Sequence, residues 1–177
     1  MSERNQRTAP TPSPRRGPAG GSLPAQAGRG DATPRPHVAW VRVSPAPGRS
    51  EAVASLNAIE GLGIEGDRHA QPDKRNQVLL IASETLDGFG LRPGDVRENI
   101  ATRDLDEMAL REGDRLHIGP AVELVVSHAC APCHKMNALQ PGLQERLRGH
   151  RGMLAIVARG GVVTPGDPIS VEAPAAG

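Results

Sequence analysis

The chain has 177 residues, a net charge of +1 and a mean hydropathy of −0.39, which is typical of a soluble protein with one domain and a tail. No apolar run approaches the roughly 20 residues that a membrane-spanning helix requires, and no apolar signal segment follows Met1. Its two cysteines are too few for a disulfide framework, so we expect a cytoplasmic protein.

Residues 1–36 are rich in Pro, Gly and Arg and have no amphipathic period. We predict that they form a disordered tail, that residues 37–173 form the folded domain and that residues 174–177 are a short C-terminal tail. A transit peptide is the alternative for the basic tail, but its Pro content disfavours the amphipathic helix that such peptides use. Because acidic residues outnumber basic ones in the folded part, we expect neither nucleic acid nor a membrane as a partner. The pattern indicates no particular oligomeric state.

The first elements after residue 36 resemble strands. Residues 37–44 (HVAWVRVS) alternate apolar and other side chains, as a strand does. Residues 51–67 mix short apolar positions with glycines and end in a charged turn. Residues 77–83 (QVLLIAS) are a short apolar run that predicts a buried strand, and residues 83–91 (SETLDGFGL) predict one or two helical turns capped by Ser83.

The pattern in the second half of the chain predicts a helix with one pair of strands before it and one pair after it. Residues 114–129 contain two strand patterns joined at Gly119 and Pro120, and residues 153–172 contain two more around the turn TPGD. Between them, residues 135–149 have leucines at helical spacing, with Pro141 in the first turn or at the end of an initial turn. About seven short strands without a βαβ rhythm favour a mainly β domain, built as an antiparallel barrel or a folded-over sheet.

Both cysteines lie in residues 128–137 (HACAPCHKMN), and their C-x-x-C spacing fits several chemistries. A c-type haem would use Cys130, Cys133 and His134, but the segment follows a strand and no export signal is visible. Zinc would need nearby histidines as well, and no second knuckle of matching spacing exists. A thioredoxin-like dithiol would open a long helix, which Pro141 interrupts here. Two buried, inert cysteines are the remaining alternative.

Four polar segments elsewhere in the chain could surround a reactive thiol. They are residues 63–70 (GIEGDRHA), 74–77 (KRNQ), 97–100 (RENI) and 149–155 (GHRGMLA). Taken singly, each is typical of a solvated turn or a surface ion pair. Together they offer guanidinium and amide donors for a phosphate or another oxyanion. A thiolate among such donors is a candidate metal or sulfur site.

In this order and spacing, residues 38–172 resemble a MOSC domain, the module named after the C-terminal region of molybdenum cofactor sulfurases. The resemblance is carried by GIEGDRHA, QVLLIASETL, LRPGDVRENIATRDLDEMALREGDRLHIG, ACAPCHKM and RGMLAIVARGGVVTPGDPISV. It is strongest to the small, stand-alone bacterial members. It implies a mainly β, β-barrel-like fold with a few short helices.

The resemblance also implies a cofactor site. The family's functional cysteine matches Cys133, whose thiolate would be the catalytic group and would ligate the metal of the molybdenum cofactor (molybdopterin). His69 would supply a proton, and Cys130 would be an accessory thiol. The implied contacts to the cofactor are Asp67, Arg68, Arg97, Asn99 and Arg151. The pyridoxal-phosphate desulfurase domain of the sulfurases has no counterpart here, so no pyridoxal phosphate is expected in this chain.

By the same resemblance, the expected activity is a two-electron reduction of N–O bonds in small N-hydroxylated compounds, with electrons from a separate redox protein. A sulfur carrier is the first alternative, in which Cys133 would hold a persulfide received from a sulfur donor and pass it to a metal cofactor or another acceptor. A non-enzymatic module that binds anions is the second. Related reductases and sulfurases carry a further domain before the MOSC domain, so part of their cofactor pocket would have to come from a partner or a second copy.

Overall fold

The computed structural model describes residues 34–174. The predicted tails, residues 1–36 and 174–177, therefore lie almost entirely outside the described residues, and their disorder stays a prediction. Within the described range, no helix is both long and apolar enough to cross a membrane.

Residues 34–174 form eleven short strands, two α-helices and two 3₁₀ helices, which confirms the mainly β class. The strands are β1 His37–Val43, β2 Glu51–Val53, β3 Leu56–Ile59, β4 Gly63–Ile64, β5 Val78–Ala82, β6 Ile100–Arg103, β7 Arg115–Ile118, β8 Val122–Ala129, β9 Met153–Arg159, β10 Gly161–Val163 and β11 Ile169–Glu172. The α-helices are α1 Ser83–Phe89 and α2 Leu143–Arg146, and the 3₁₀ helices are Glu107–Ala109 and His134–Ala138.

Eight strands form one sheet in the order β11-β7-β8-β9-β5-β6-β1-β2, and β10, β3 and β4 form a second, three-stranded sheet. The larger sheet is not closed, which corrects the expected barrel. Strand β1 meets the residues before β11 through an isolated bridge between His37 and Pro168, supported by a hydrogen bond of 2.9 Å from the Val38 N–H to the Asp167 carbonyl. Two further hydrogen bonds flank the bridge, from the Ile169 N–H to the Pro36 carbonyl at 2.8 Å and from the Gly166 N–H to the Val38 carbonyl at 2.7 Å.

Strands β5 and β6 are parallel, whereas the other ladders described in the two sheets are antiparallel. Since α1 lies between them, the chain contains a βαβ unit, although the sequence pattern predicted none. Gly90, with a φ of 65°, ends α1, and residues 91–99 then lead back to the start of β6. This return segment, residues 91–99, carries two predicted site residues, Arg97 and Asn99.

The start of α1 is stabilised by a residue that is distant in sequence, not by the predicted cap. Ser83 is the first helical residue, and its hydroxyl donates to Glu84 at 3.1 Å. The Ala82 N–H donates at 2.7 Å to the buried carboxylate of Glu107, which also accepts from the Thr85 hydroxyl at 2.6 Å. Burial outweighs these hydrogen bonds and raises the pKa of Glu107.

The single helix predicted over residues 135–149 is divided in two. The 3₁₀ helix His134–Ala138 and α2 are separated by a turn at Gly142, whose φ of 73° is left-handed and favours glycine. Leu143 and Leu147 are buried as the helical spacing predicted, whereas Leu139 is exposed.

The two faces of the larger sheet bury separate sets of apolar residues. Along β5, Val78 and Leu80 belong to the main core, whereas Ile81 belongs to a smaller apolar cluster. Because side chains alternate along a strand, the smaller cluster lies on the opposite face. It is completed by Leu86, Leu91, Val96, Met136, Leu143 and Leu147, with Trp40 and Phe89 packed against it. The helices and the return segment thus pack on the outer face of the sheet.

Gly152 occupies a position next to β5 where no side chain fits. Its φ is 87°, and a Cβ atom there would collide with the Leu80 carbonyl oxygen. We expect Gly152→Ala to lower the free energy of unfolding by about 3 kcal/mol or more, because it combines backbone strain with a steric collision. Gly88→Ala is the matched control, since Gly88 is helical with open space around it, and alanine should stabilise it by up to about 1 kcal/mol. Urea unfolding measures both, and equal effects would contradict this role of Gly152.

Candidate functional site

A cavity of about 500 Å³ opens on the outer face of the larger sheet. Leu79 of β5 and Leu154 of β9 are paired across the ladder and form part of its wall. The other lining residues are Arg68, His69, Asn76, Asp95, Val96, Arg97, Asn99, Cys130, Cys133, Lys135, Met136, Ala138, Leu139 and Arg151. The cavity therefore joins the turn after β4, the return segment, the cysteine segment after β8 and the residues just before β9.

Every predicted site residue except Asp67 lines this cavity. Lys135 and Asp95 also line it, although the sequence pattern did not place them in the site. The signal for Lys135 was its position two residues after Cys133 in the sequence. Arg75 of the KRNQ segment, which was expected among the donors, instead pairs with Glu112 and donates to the Ser127 carbonyl at 3.0 Å.

Cys130 and Cys133 are both reduced, and both line the cavity. Cys130 directly follows β8, and its N–H donates to the Gly152 carbonyl at 2.9 Å, which fixes the end of the strand. Cys133 is exposed and directly precedes the 3₁₀ helix His134–Ala138, whereas Cys130 is partly buried. Burial raises the pKa of Cys130, opposed by the charge of Arg151 and assisted by the neighbouring Cys133. At neutral pH, Cys130 is therefore a protonated thiol.

The charge of the cavity lining is positive. Asp95 is the one acidic side chain among the described lining residues, and its carboxylate already accepts a hydrogen bond of 2.9 Å from the Arg92 N–H. The basic side chains are Arg68, Arg97, Lys135 and Arg151. Such a concentration of positive charge in a concave, partly apolar site favours a bound anion.

Arg151 is a buried cation with unsatisfied donors. Only 7% of the residue is exposed, and its Nη2 donates to the Val96 carbonyl at 2.6 Å. Its Nε and Nη1 are buried and have no hydrogen-bond partner among residues 34–174. Burying a guanidinium with unpaired donors is costly unless an anion compensates for it. These two donors therefore mark the position where a bound oxyanion would be stabilised most.

Arg97 is held at the cavity by a strained backbone. Its φ of 62° is left-handed, which costs a non-glycine residue about 1 kcal/mol or more. The adjacent Glu98 fixes the surrounding segment, because its buried carboxylate accepts hydrogen bonds from the Gly94 N–H at 2.6 Å and from Trp40 Nε1 at 3.0 Å. These two hydrogen bonds of the neighbouring residue thus hold Arg97 in its strained conformation.

Asp67 lies behind the cavity wall with its side chain fully buried. Its Oδ1 accepts from the His69 N–H at 2.9 Å and from His69 Nδ1 at 2.8 Å, and its Oδ2 accepts from the Ser44 N–H and from Asn99 Nδ2, both at 2.8 Å. Burial alone would raise the pKa of Asp67, but these hydrogen bonds outweigh it and hold the pKa below its usual value. Asp67 is thus an ionised anchor for the lining residues His69 and Asn99, and a direct contact of Asp67 with a cofactor stays a prediction.

The Asp67 anchor determines what its two neighbours can offer to a ligand. Because the carboxylate occupies Nδ1 of His69, the ring nitrogen left for a ligand is Nε2. Asn99 is more fully engaged, since its Oδ1 also accepts from the Leu79 N–H at 3.1 Å. His69 is therefore the better placed of the two for chemistry in the cavity.

No group of three or more His, Cys, Asp or Glu side chains in residues 34–174 is arranged to hold a metal ion. The zinc alternative thus has no complete ligand set in this range. A metal that takes one thiolate from the protein and its other ligands from an organic cofactor requires no such group.

We expect Asp67→Asn to lower the free energy of unfolding by about 2–4 kcal/mol near neutral pH, because the new amide group would face the donors of Ser44 and Asn99. The pKa of Asp67 is lower in the folded state, so its stabilisation is complete above the unfolded pKa of about 3.9 and is lost as the pH falls through the folded-state pKa. The difference between the two proteins should therefore shrink in acid. Urea unfolding across this pH range measures it, with the exposed Asp73→Asn as control. A pH-independent difference would contradict an ionised Asp67.

Comparisons with known proteins identify the family of the chain and proteins of similar fold. The profile of the MOSC domain matches residues 66–170, which is more than half of the chain. The fold is similar to the YuaD protein of Bacillus subtilis, with a TM-score of 0.65 and 22% identity over 77% of this chain and 95% of that one. It is also similar to YiiM from Escherichia coli, with a TM-score of 0.60 and 21% identity over 79% of this chain and 71% of that one.

YiiM from Geobacillus stearothermophilus is similar at a TM-score of 0.58 and 21% identity, over 77% of this chain and 75% of that one. No curated protein matches the sequence significantly. The matched residues 66–170 include the GDRH, RENI and cysteine segments, whose side chains meet in the cavity. The resemblance found in the sequence is thus confirmed, and the chain belongs to the MOSC domain family.

Proposed function

We propose that this chain binds the molybdenum cofactor through the Cys133 thiolate and reduces the N–O bond of small N-hydroxylated compounds. The observation that carries this proposal is the buried Arg151 guanidinium, whose Nε and Nη1 have no partner among the described residues. Arg151 lines a cavity that also contains the exposed thiol of Cys133. A ligand that combines a phosphate with a thiol-binding metal would satisfy both groups at once.

The residues of the cavity fit such a cofactor. A thiolate such as that of Cys133 is a soft ligand, which suits the metal of this cofactor. Guanidinium groups and an ammonium group pair with phosphate through charge-assisted hydrogen bonds, and this cavity has four basic side chains. The apolar wall, which includes Leu79, Met136 and Leu154, offers a packing surface for the organic part of a cofactor or for a substrate.

In this mechanism, the bound cofactor supplies the two-electron redox chemistry. The overall change converts an N–OH group, two protons and two electrons into an N–H group and water. His69 lines the cavity with Nδ1 held by Asp67, so it is positioned to hold or transfer a proton at Nε2. Arg68, Arg97 and Arg151 would bind and orient the anionic end of the cofactor. Electrons would come from a separate redox protein.

A persulfide carrier is the second candidate function, and the exposure of Cys133 favours it. In that case Cys133 would hold a sulfur atom at the mouth of the cavity, and the basic lining would bind the anionic acceptor. A module that only binds anions would require the basic side chains but not the thiol. The role of Cys133 therefore discriminates among the three functions.

We expect the full chain, purified from a host that makes the molybdenum cofactor, to contain about one molybdenum per chain, since a single thiolate site binds a single metal. Cys133→Ser should lose at least about nine-tenths of this metal, because serine is a hard and poorly acidic ligand. Elemental analysis and intact mass spectrometry measure the metal and any sulfur adduct. Metal-free protein with an added sulfur on Cys133 would overturn the proposal in favour of the carrier. If the parent protein carries neither metal nor added sulfur and Cys133→Ser keeps its affinity for anions, the binding module would be favoured.

We expect Arg151→Met to reduce molybdenum occupancy by about tenfold or more under limiting cofactor, since hydrogen bonds to a charged group contribute about 1.5–3 kcal/mol. The metal-free variant should be no less stable than the metal-free parent, because methionine removes two buried, unpaired donors. Arg111→Met is the matched control, since Arg111 is exposed and does not line the cavity. Thermal unfolding and metal analysis of the three proteins test this. Unchanged occupancy in Arg151→Met would contradict the assigned anion contact.

A further inference from the structure

We infer that Cys130 is the resolving thiol of Cys133: when the Cys133 sulfur becomes oxidised or carries a transferred group, Cys130 displaces that group and forms an intramolecular disulfide. This inference concerns the two thiols and does not require the cofactor. Its consequence for cofactor binding rests on the proposed function.

The placement of the two thiols supports this chemistry. Both line one cavity, and only Ala131 and Pro132 separate them in the chain. A hydrogen bond from the Cys130 N–H to Gly152 holds one end of this short segment, and the 3₁₀ helix that follows Cys133 holds the other. The proximity of Cys133 also contributes to the raised pKa of Cys130, after burial and the opposing charge of Arg151. The two sulfur atoms therefore share one local environment.

The two thiols are not equivalent, and the difference assigns their roles. Cys133 is exposed, so an external oxidant or sulfur donor meets it first. Cys130 is partly buried, and its raised pKa keeps it protonated and unreactive toward reagents in solution. The nearby Arg151 charge stabilises the Cys130 thiolate once a neighbouring disulfide is available for attack.

A second cavity adjoins Cys130 on the side of α2. This cavity has a volume of about 270 Å³ and is lined by Ala129, Cys130, Ala131, Pro132, Gln144, Arg148 and Gly149. Cys130 is the one described residue that lines both cavities. Cys130 therefore lies at the boundary between the two cavities, whereas Cys133 lines the first one alone.

The chemistry balances with a low-molecular-weight disulfide such as glutathione disulfide as the oxidant. The Cys133 thiolate attacks one sulfur of glutathione disulfide, so that a mixed disulfide forms and one glutathione thiolate leaves. Cys130 then loses its proton to solvent and attacks the Cys133 sulfur, which releases the second glutathione. The two cysteines together lose two electrons, which reduce one glutathione disulfide to two glutathione molecules. In the resulting disulfide, Cys133 has no thiolate to offer a metal.

The test uses the full, reduced chain and its Cys130→Ser and Cys133→Ser variants, each treated with glutathione disulfide, quenched in acid and weighed by intact mass spectrometry. Because the chain has two cysteines, each product has one assignment. We expect the parent protein to lose two hydrogens and retain no glutathione, and Cys130→Ser to retain one glutathione. The mixed disulfide should disappear at least about tenfold faster in the parent, because the resolving step is intramolecular. Cys133→Ser should react slowly or not at all.

A stable glutathione adduct on the parent, or a disulfide between two chains on a non-reducing gel, would overturn the inference. Molybdenum content measured on the reduced and the oxidised parent separates this result from the proposed function. An intramolecular disulfide in a protein that never takes up molybdenum would support the resolving role and refute cofactor binding. Molybdenum binding without an intramolecular disulfide would support cofactor binding and refute the resolving role.

Discussion

The buried carboxylate of Asp67 lies where three distant parts of the chain meet, and the cavity wall depends on the hydrogen bonds that it accepts. It joins the end of β1 through Ser44, the turn after β4 through His69, and the start of β6 through Asn99. Each bond replaces a contact with water that burial has removed, so loss of the carboxylate would leave buried donors unpaired. One ionised group thus sets the positions of a histidine and an amide at the cavity.

Two features of the site lower the stability of the folded state, and the rest of the fold must compensate for them. Arg151 has two buried donors without partners in the described residues, and Arg97 has a left-handed backbone. A fold selected for stability alone would remove both, because a buried unpaired charge and a strained residue each cost free energy. Their concentration around one cavity, away from the continuous main core, is the pattern expected when binding provides the compensation.

The sequence predicted the mainly β class, the family and most of the polar side chains that line the cavity, because these depend on local alternation and on short polar motifs. The open sheet was not predictable, since whether β1 and β11 pair along a ladder or only through one bridge depends on residues far apart in the chain, such as His37 and Pro168. The βαβ unit was missed because the return segment lacks regular secondary structure, and its packing is set by long-range contacts. The motif that contains Asp67 is typical of an exposed turn. The burial of its carboxylate depends on partners that are distant in the sequence, so the motif alone did not predict it.

The isolated bridge between His37 and Pro168 is also a place where the backbone pairing is short. It pairs one residue from each segment, whereas the ladder between β8 and β9 pairs six, so we expect amide hydrogens beside the bridge to exchange with solvent through smaller local openings. The strands that build the cavity, β8, β9, β5 and β6, occupy the middle of the sheet order and are hydrogen-bonded on both sides. Local opening at the bridge would therefore break none of the ladders that join these four strands to one another.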